Sequence, residues 1–365
     1  MKVLVTGASG FVGSMVCARL SEAAHDVVAC SRSRVEQPGI FYVASPELGP
    51  EADWGAALDG ADTVVHLAAR AHFLGERSSH EIDALYSRVN TEGTVRLARQ
   101  ATEAGVKHFI FVSSIGAMAE SSETILTVDT PCAPSTPYGK SKLGAELALK
   151  QIAVAGGMAY SIIRPPLVYG SGNPGNMERL LKLVKTGLPL PLASVRNRRS
   201  FIYVENLVDL IVTCLGNPKA FGKTFLPSDG DDLSTAELIE KIARANESVQ
   251  CPVSSDSVPS KATRHTVGRR GELFALGPSA VPLRSDSPHS SPVTRRPSLP
   301  PRHSLRLFPF PESILKAAGR LPGLGALRKL TSSLHVDSEP IRRDLGWIPP
   351  FTMEEGLRRT LAKRH

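Results

Sequence analysis

The chain has 365 residues, 42% hydrophobic and 21% charged, with a formal net charge of +8. That length suits one large α/β domain with a smaller lobe, because single cores stop growing near ~250–300 residues, and the composition excludes a fibrous or wholly disordered chain. No apolar run reaches the roughly 18–20 residues of a membrane helix, and MKVLVTGASG enters a strand pattern without signal-peptide features, so a cytoplasmic protein with no membrane span is expected.

Lys2–Thr6 reads as a first strand and Phe11–Ala23 as a helix. Asp26–Cys30, Thr63–Leu67, His108–Ser113 and Ala159–Arg164 read as further strands. Their apolar runs are continuous rather than alternating, as in strands covered on both faces. Tyr86–Ala104 and Tyr138–Ala155 have helical spacing and lie between strands. This alternation predicts an α/β fold, a Rossmann-like doubly wound parallel sheet, over residues 1–165. Beyond Pro165 the pattern turns irregular and predicts a smaller α/β substrate lobe over 166–365, with 200–216 returning to the first domain. In that half a helix is expected at Met177–Lys185, a strand and helix within Phe201–Leu215, and a basic closing helix at Thr352–Leu361. Ser234-Thr235-Ala236-Glu237 has the form of a capping box that opens a helix.

Residues 250–305 differ from their surroundings. They are rich in Ser, Pro and Arg, and 250–306 carries nine basic residues against three acidic ones. Most of the net charge therefore sits in one stretch too poor in apolar residues to offset its ordering entropy, and a disordered insertion is expected. The five cysteines form no CxxC pair, so no metal site is expected and the thiols read as idle.

Gly7-Ala8-Ser9-Gly10-Phe11-Val12-Gly13 follows the first strand and opens the first helix. In that setting GxxGxxG serves a dinucleotide: Gly7 for the tight turn, Gly10 for approach of the pyrophosphate, Gly13 for helix–strand packing, with phosphates at the helix N-terminus. Ala29-Cys30-Ser31-Arg32-Ser33-Arg34 contains no acid to bind a ribose hydroxyl. Arg32 leans the cofactor toward NADP over NAD, unless these arginines merely solvate a turn.

Tyr138 and Lys142 form YxxxK, which places both on one helix face. A neighbouring ammonium is expected to lower the phenol pKa and fit Tyr138 for proton transfer. Ser114, just past the strand ending near Val112, stands where ligands collect in parallel sheets. Tyr138, Lys142 and Ser114 are therefore the catalytic candidates.

With these motifs the chain resembles the extended short-chain dehydrogenase/reductase superfamily, in its nucleotide-sugar epimerase and dehydratase branch. The resemblance covers residues 1–249 and about 306–365. It includes TGASGFVG, His66-Leu67-Ala68-Ala69, Asn90-Thr91-Glu92-Gly93-Thr94, Ser113-Ser114, Arg164 to Gly170, and Leu345-Gly346-Trp347-Ile348-Pro349-Pro350. It implies Tyr138 as acid/base, Lys142 as its partner, and Ser114 as the hydroxyl that orients a sugar oxygen. Gly7, Gly10, Phe11, Val12, Gly13, Arg32, Glu47, Leu48, Leu67, Ala68, Ala69, Asn90, Tyr138, Lys142 and Pro165 are the implied cofactor residues. Asn176 and Arg199, with Ser114, are the implied contacts to a UDP-sugar, and a homodimer through the two long helices is implied as well.

Leu167 stands where epimerases carry Asn, and Met118-Ala119 where many have Tyr-Gly. The stretch Leu188–Ser200, followed by Asn206–Leu210, looks like the UDP-4-keto-sugar reductases of bacterial polysaccharide pathways. A 4-keto-sugar reductase is therefore expected, with a UDP-hexose 4-epimerase retaining NAD as the alternative. A hydroxysteroid-type dehydrogenase fits poorly with the polar Asn176, Arg198 and Arg199. A non-catalytic NAD(P)-binding or RNA-binding regulator rests on the basic 250–306 stretch alone.

Overall fold

The computed structural model describes residues 1–71, 79–173, 175–250, 307–319 and 325–362. The basic segment expected at 250–305 lies, from residue 251 on, outside these. In chain order come β1 (Lys2–Thr6), α1 (Phe11–Glu22), β2 (Asp26–Ser31), β3 (Ile40–Ala44), α2 (Gly55–Leu58), β4 (Thr63–His66), α3 (His80–Tyr86), α4 (Gly93–Glu103), β5 (His108–Val112), α5 (Pro137–Gly156) and β6 (Ala159–Ile163). Then follow β7 (Leu167–Tyr169), α6 (Asn176–Lys185), β8 (Phe201–Tyr203), α7 (Val204–Cys214), β9 (Lys223–Phe225), α8 (Thr235–Gln250), α9 (Glu312–Ala318), α10 (Gly325–Thr331), α11 (Glu339–Leu345) and α12 (Met353–Ala362).

Seven strands form one sheet in the order β3-β2-β1-β4-β5-β6-β9. Every pairing is parallel, which is the doubly wound Rossmann-like sheet that the strand–helix alternation predicts. Alternate residues of each strand serve opposite faces. Val3 and Val5 enter a cluster with Val16 and Leu20 of α1 and Leu207 and Ile211 of α7. Leu4 enters another with Leu97 and Ala101 of α4 and Leu149 and Ala153 of α5. Each fully buried Leu or Val among them contributes roughly 1.5–3 kcal/mol. The helices are thereby tied to the sheet that positions their first turns.

Three details depart from the sequence reading. The helix expected at Tyr86–Ala104 begins at His80 and passes through a π-helical stretch, Ser87–Glu92. That wider turn delivers Asn90 inward, where it is buried. The strands β3, β7 and β9 lie outside the expected ones; β7 pairs in parallel with β8, the strand expected near Phe201, as a separate two-stranded sheet. Most consequentially, β9 joins the main sheet beside β6 although it lies far beyond residue 165. The stretch expected to return at 200–216 supplies α7, which packs on α1.

The capping box forms as the sequence suggests: Ser234 N donates to Glu237 Oε2 at 2.7 Å and Glu237 N to Ser234 Oγ at 3.2 Å. The C-terminal stretch is fastened by polar bonds. Trp347 Nε1 donates to Asp209 Oδ2 at 2.9 Å, and Asn206 exchanges two bonds with the Phe351 backbone at 2.8 and 3.0 Å. Among the described residues, no helix is long and apolar enough to cross a membrane.

Candidate active site

The sheet order reverses at β1, so the loops after β1 and β4 part at their carboxyl ends and open a crevice. Gly7 turns there with φ +70°, and a Cβ on it would stand 2.8 Å from Ala68 N. A Cβ on Gly13 would meet Gly7 O at 2.1 Å. No side chain caps α1 at Gly10, so its first N–H groups face the crevice unobstructed. This cradle, which any larger residue would fill, fits a dinucleotide pyrophosphate.

The other candidate cofactor residues take varied positions. Phe11 and Val12 open α1. Leu67 N and Ala68 N donate to Thr6 Oγ1 at 3.2 Å each, which holds the Leu67–Ala69 loop beside Gly7. Pro165 is buried at the end of β6, and its carbonyl accepts from Ile115 N at 3.0 Å. Arg32 is exposed just beyond β2, and Glu47 is exposed after β3. Leu48 packs on the sheet core instead. Asn90 is spent within the protein: its amide bonds both Arg70 N and Arg70 O, at 2.8 and 3.1 Å, and Ser141 Oγ at 3.0 Å. It supports the loop after β4 and ties it to α5.

A buried chain of hydrogen bonds backs this loop. Thr94 Oγ1 donates to Asn90 O at 2.6 Å, so it accepts from His66 Nε2 at 3.1 Å. His66 Nδ1 then accepts from Thr6 Oγ1 at 2.7 Å. The network assigns a single ring proton to His66. Burial, aided by the nearby Lys142 charge, agrees by pushing its pKa down to about 3.

The catalytic candidates converge at the end of β5. Thr136 caps α5 by accepting from Gly139 N at 3.1 Å, and Pro137 starts the helix. Tyr138 in the first turn stands beside Ser114: a Cβ on Gly116 would lie 3.4 Å from Ser114 Oγ and 3.9 Å from the Tyr138 ring. Ser114 Oγ accepts from Gly116 N at 3.1 Å. Lys142 is buried, donates to Val112 O at 2.8 Å, and lies 4.3 Å over the Phe111 ring. Tyr86 meets the Tyr138 ring edge-on at 6.2 Å.

The electrostatics reverse one expectation. The Tyr138 pKa is raised, not lowered: burial dominates, Tyr86 adds to it, and only Ser114 opposes it. The Lys142 ammonium, for its part, is hydrogen-bonded to the Val112 carbonyl. Lys142 is itself desolvated to a pKa of about 7, with Glu146 pulling the other way.

Arg199 lines a cavity of about 250 Å³, with Leu167, Met177, Leu180, Phe201 and Lys329 among its other walls. Arg199 Nη1 donates to Lys329 O at 2.9 Å and Ser332 O at 3.1 Å, at the C-terminal end of α10. Asn176 is the first residue of α6. Leu167 begins β7 and lines the cavity, while Met118 is buried with Leu334 and Val336.

Sequence reasoning overlooked four charged groups. Glu120 accepts from the backbone and hydroxyls of Ser135 and Thr136 at 2.6–3.2 Å. Burial disfavours its charge, yet these four bonds hold its pKa below the usual value and place a carboxylate under the α5 N-terminus. Lys329 joins Arg199 at the cavity. Glu146 and Arg164 form a buried pair at 2.6 Å. The one available signal was Glu146 itself, eight residues after Tyr138 and so on the same helix face.

A family model described as the NAD dependent epimerase/dehydratase family matches residues 3–225. The UDP-glucose 4-epimerase of Vibrio cholerae is 33% identical over 363 residues, 98% of this chain and 94% of that protein. The N-acetyl-alpha-D-glucosaminyl-diphospho-ditrans,octacis-undecaprenol 4-epimerase of Escherichia coli O157:H7 is 32% identical over 248 residues, 67% of this chain and 72% of that one. Among solved structures, MoeE5 in complex with UDP-glucuronic acid and NAD superposes with a TM-score of 0.69 at 20% identity, over 100% of this chain and 99% of that chain. This last likeness concerns the fold alone.

Proposed function

The chain belongs to the NAD dependent epimerase/dehydratase family, and from that premise we propose that it is a UDP-hexose 4-epimerase. The observation that carries this reading is the convergence of Ser114, Tyr138 and Lys142 at the end of β5, facing the glycine turn after β1. A UDP-glucose 4-epimerase is 33% identical over nearly the full length of both chains, which supports the epimerase over the reductase that the Leu188–Leu210 motifs suggest.

A nicotinamide cofactor held by Gly7, Gly10 and Gly13, with Leu67–Ala69 and Pro165 beside it, supplies hydride acceptance and return at C4 of the sugar. Tyr138 takes the proton of the C4 hydroxyl and gives it back. Ser114, beside that phenol, orients the same oxygen. Lys142 brings a cation to the same helix face. Arg199 and Lys329 offer cations to the substrate diphosphate, and the apolar cavity walls take the adjoining group. Leu85, Leu147 and Val154 are exposed apolar residues on α3 and α5, which supports a homodimer through these helices.

One observation favours the second reading, a 4-keto-sugar reductase. Arg32 is exposed at the end of β2, with no acid between residues 29 and 34, a setting that suits the phosphate of NADP. Incubation of the purified protein with UDP-glucose separates the two. The epimerase forms UDP-galactose without net loss of reduced cofactor, and NAD is released when the protein is denatured. Consumption of NADPH with a UDP-4-keto-sugar, without any exchange of epimers, would overturn it in favour of the reductase.

A further inference from the structure

Three consecutive residues at the end of β5 are each held by a different turn of α5. Ser114 stands against Tyr138 in the first turn, Ser114 Oγ and the Tyr138 ring both lying within 4 Å of where a Cβ on Gly116 would be. Val112 O accepts from Lys142 Nζ in the second at 2.8 Å. Ser113 Oγ donates to Glu146 Oε1 in the third at 2.5 Å. Residues 138, 142 and 146 share one helix face, so the three contacts form one seam.

Glu146 is the fixed end of that seam. It is 0% exposed. Arg164, directly after β6, donates through Nε to both carboxylate oxygens at 3.0 and 3.1 Å and through Nη2 to Oε2 at 2.6 Å. Arg164 is tied in turn to β9, its backbone N–H donating to Phe225 O at 2.8 Å. At the other end, a Cβ on Gly139 would stand 2.2 Å from Gly116 O, so the first turn of α5 lies directly on the backbone after Ser114. Between these ends α5 has no room to slide or rotate without breaking the ion pair.

We propose that Glu146 is a positioning residue of this site: anchored by Arg164 and Ser113, it sets the register of α5 against β5 and so holds Tyr138 on Ser114 and Lys142 on Val112. The proposal rests on the preceding section only in taking Tyr138 as the group that moves the proton.

The same carboxylate acts on charge. Burial drives Lys142 down to about 7, and Glu146 is the group that opposes this. The other titratable groups near Lys142 are Tyr138, four residues earlier on its own helix, and His66 from β4, which burial keeps neutral.

Two variants of the full chain test the two parts. Glu146→Gln removes the charge and keeps the shape; Ser113→Ala removes one bond and keeps the charge. Nuclear magnetic resonance of protein carrying ¹³C-labelled lysine follows the Lys142 titration without any turnover, with Lys142→Met identifying its signal. In Glu146→Gln the Lys142 midpoint is expected to fall by roughly one pH unit, with kcat down about tenfold or more and cofactor affinity retained. In Ser113→Ala the midpoint stays in place while kcat drops several-fold at unchanged KM. A folded Glu146→Gln protein with the parental Lys142 midpoint, or parental kcat in both variants, overturns the proposal. If Glu146→Gln does not fold, kcat of Ser113→Ala decides it in the same way. Failure of the parent protein to turn over any UDP-hexose would count against the proposed function, while the lysine titration would still judge Glu146.

Discussion

Glu146 and Asp229 are both carboxylates withdrawn from water, one on α5 and one between β9 and α8, and they are compensated in different ways. Glu146 meets a guanidinium through both oxygens. Asp229 meets only neutral donors: Tyr169 Oη at 2.8 Å, Tyr203 N at 3.0 Å and Asn206 Nδ2 at 2.7 Å. Burial, with Asp231 nearby, pushes the Asp229 pKa up to about 6 despite these bonds. A carboxylate with a counter-ion makes a rigid joint, suited to holding reacting groups in place. One without a counter-ion makes a joint whose proton comes off near neutral pH. Asp229 sits under the fastening of the C-terminal stretch, through Asn206 and Phe351.

The contrast is tested most strongly at Arg164. Arg164→Met leaves Glu146 buried without its partner and is expected to cost about 3–5 kcal/mol in urea unfolding. A loss below about 1 kcal/mol would remove the distinction between the two joints. Next comes Asn206→Ala, which strips donors and an acceptor from Asp229 and Phe351 together. Its expected cost is about 1–3 kcal/mol, accompanied by faster proteolysis of the chain end beyond Leu345.

Asp229→Asn is expected to cost no more than about 1 kcal/mol, because an amide can still accept from Tyr203 and Asn206 while donating to Tyr169. Its signature lies in pH dependence. Folded Asp229 holds its proton up to about pH 6, whereas the unfolded chain releases it near the ordinary value of 3.8. Between those limits the folded state binds more protons, so this group's share of stability falls as pH rises and stays low above pH 6. Urea midpoints of parent and variant should therefore diverge between about pH 4.5 and 7, with the parent losing more on the alkaline side. Parallel pH profiles would mean that Asp229 is already ionised. The smallest effect is expected at the surface pair Lys223–Asp344, 3.0 Å apart with half-exposed Lys223: Lys223→Gln should change stability by less than about 1 kcal/mol.

The glycine turn, the strands around it and the Tyr138–Lys142 spacing were legible because each is written in adjacent residues with a fixed period. The Ser234–Glu237 box was legible for the same reason. Glu146–Arg164 was not, since it is made by two elements whose approach depends on the whole sheet. The direction of the Tyr138 pKa was misread because spacing alone does not reveal burial, the largest influence on that phenol. Arg199 lines a cavity, but its bonding to carbonyls at the end of α10 needs a partner 130 residues away. β7 and β9 have three residues each, too few to show a pattern, and β9 went unread for that reason.

The lateness of β9 has a consequence for biosynthesis. Until Lys223–Phe225 leaves the ribosome, a nascent chain displays the outer edge of Ala159–Ile163 with its peptide groups unpaired, an invitation to association with other chains. A fragment cut after Pro165 would keep that raw border, and would also lack the Phe225 carbonyl that receives Arg164. The first 165 residues resemble a self-sufficient nucleotide-binding piece, yet they form an unfinished one.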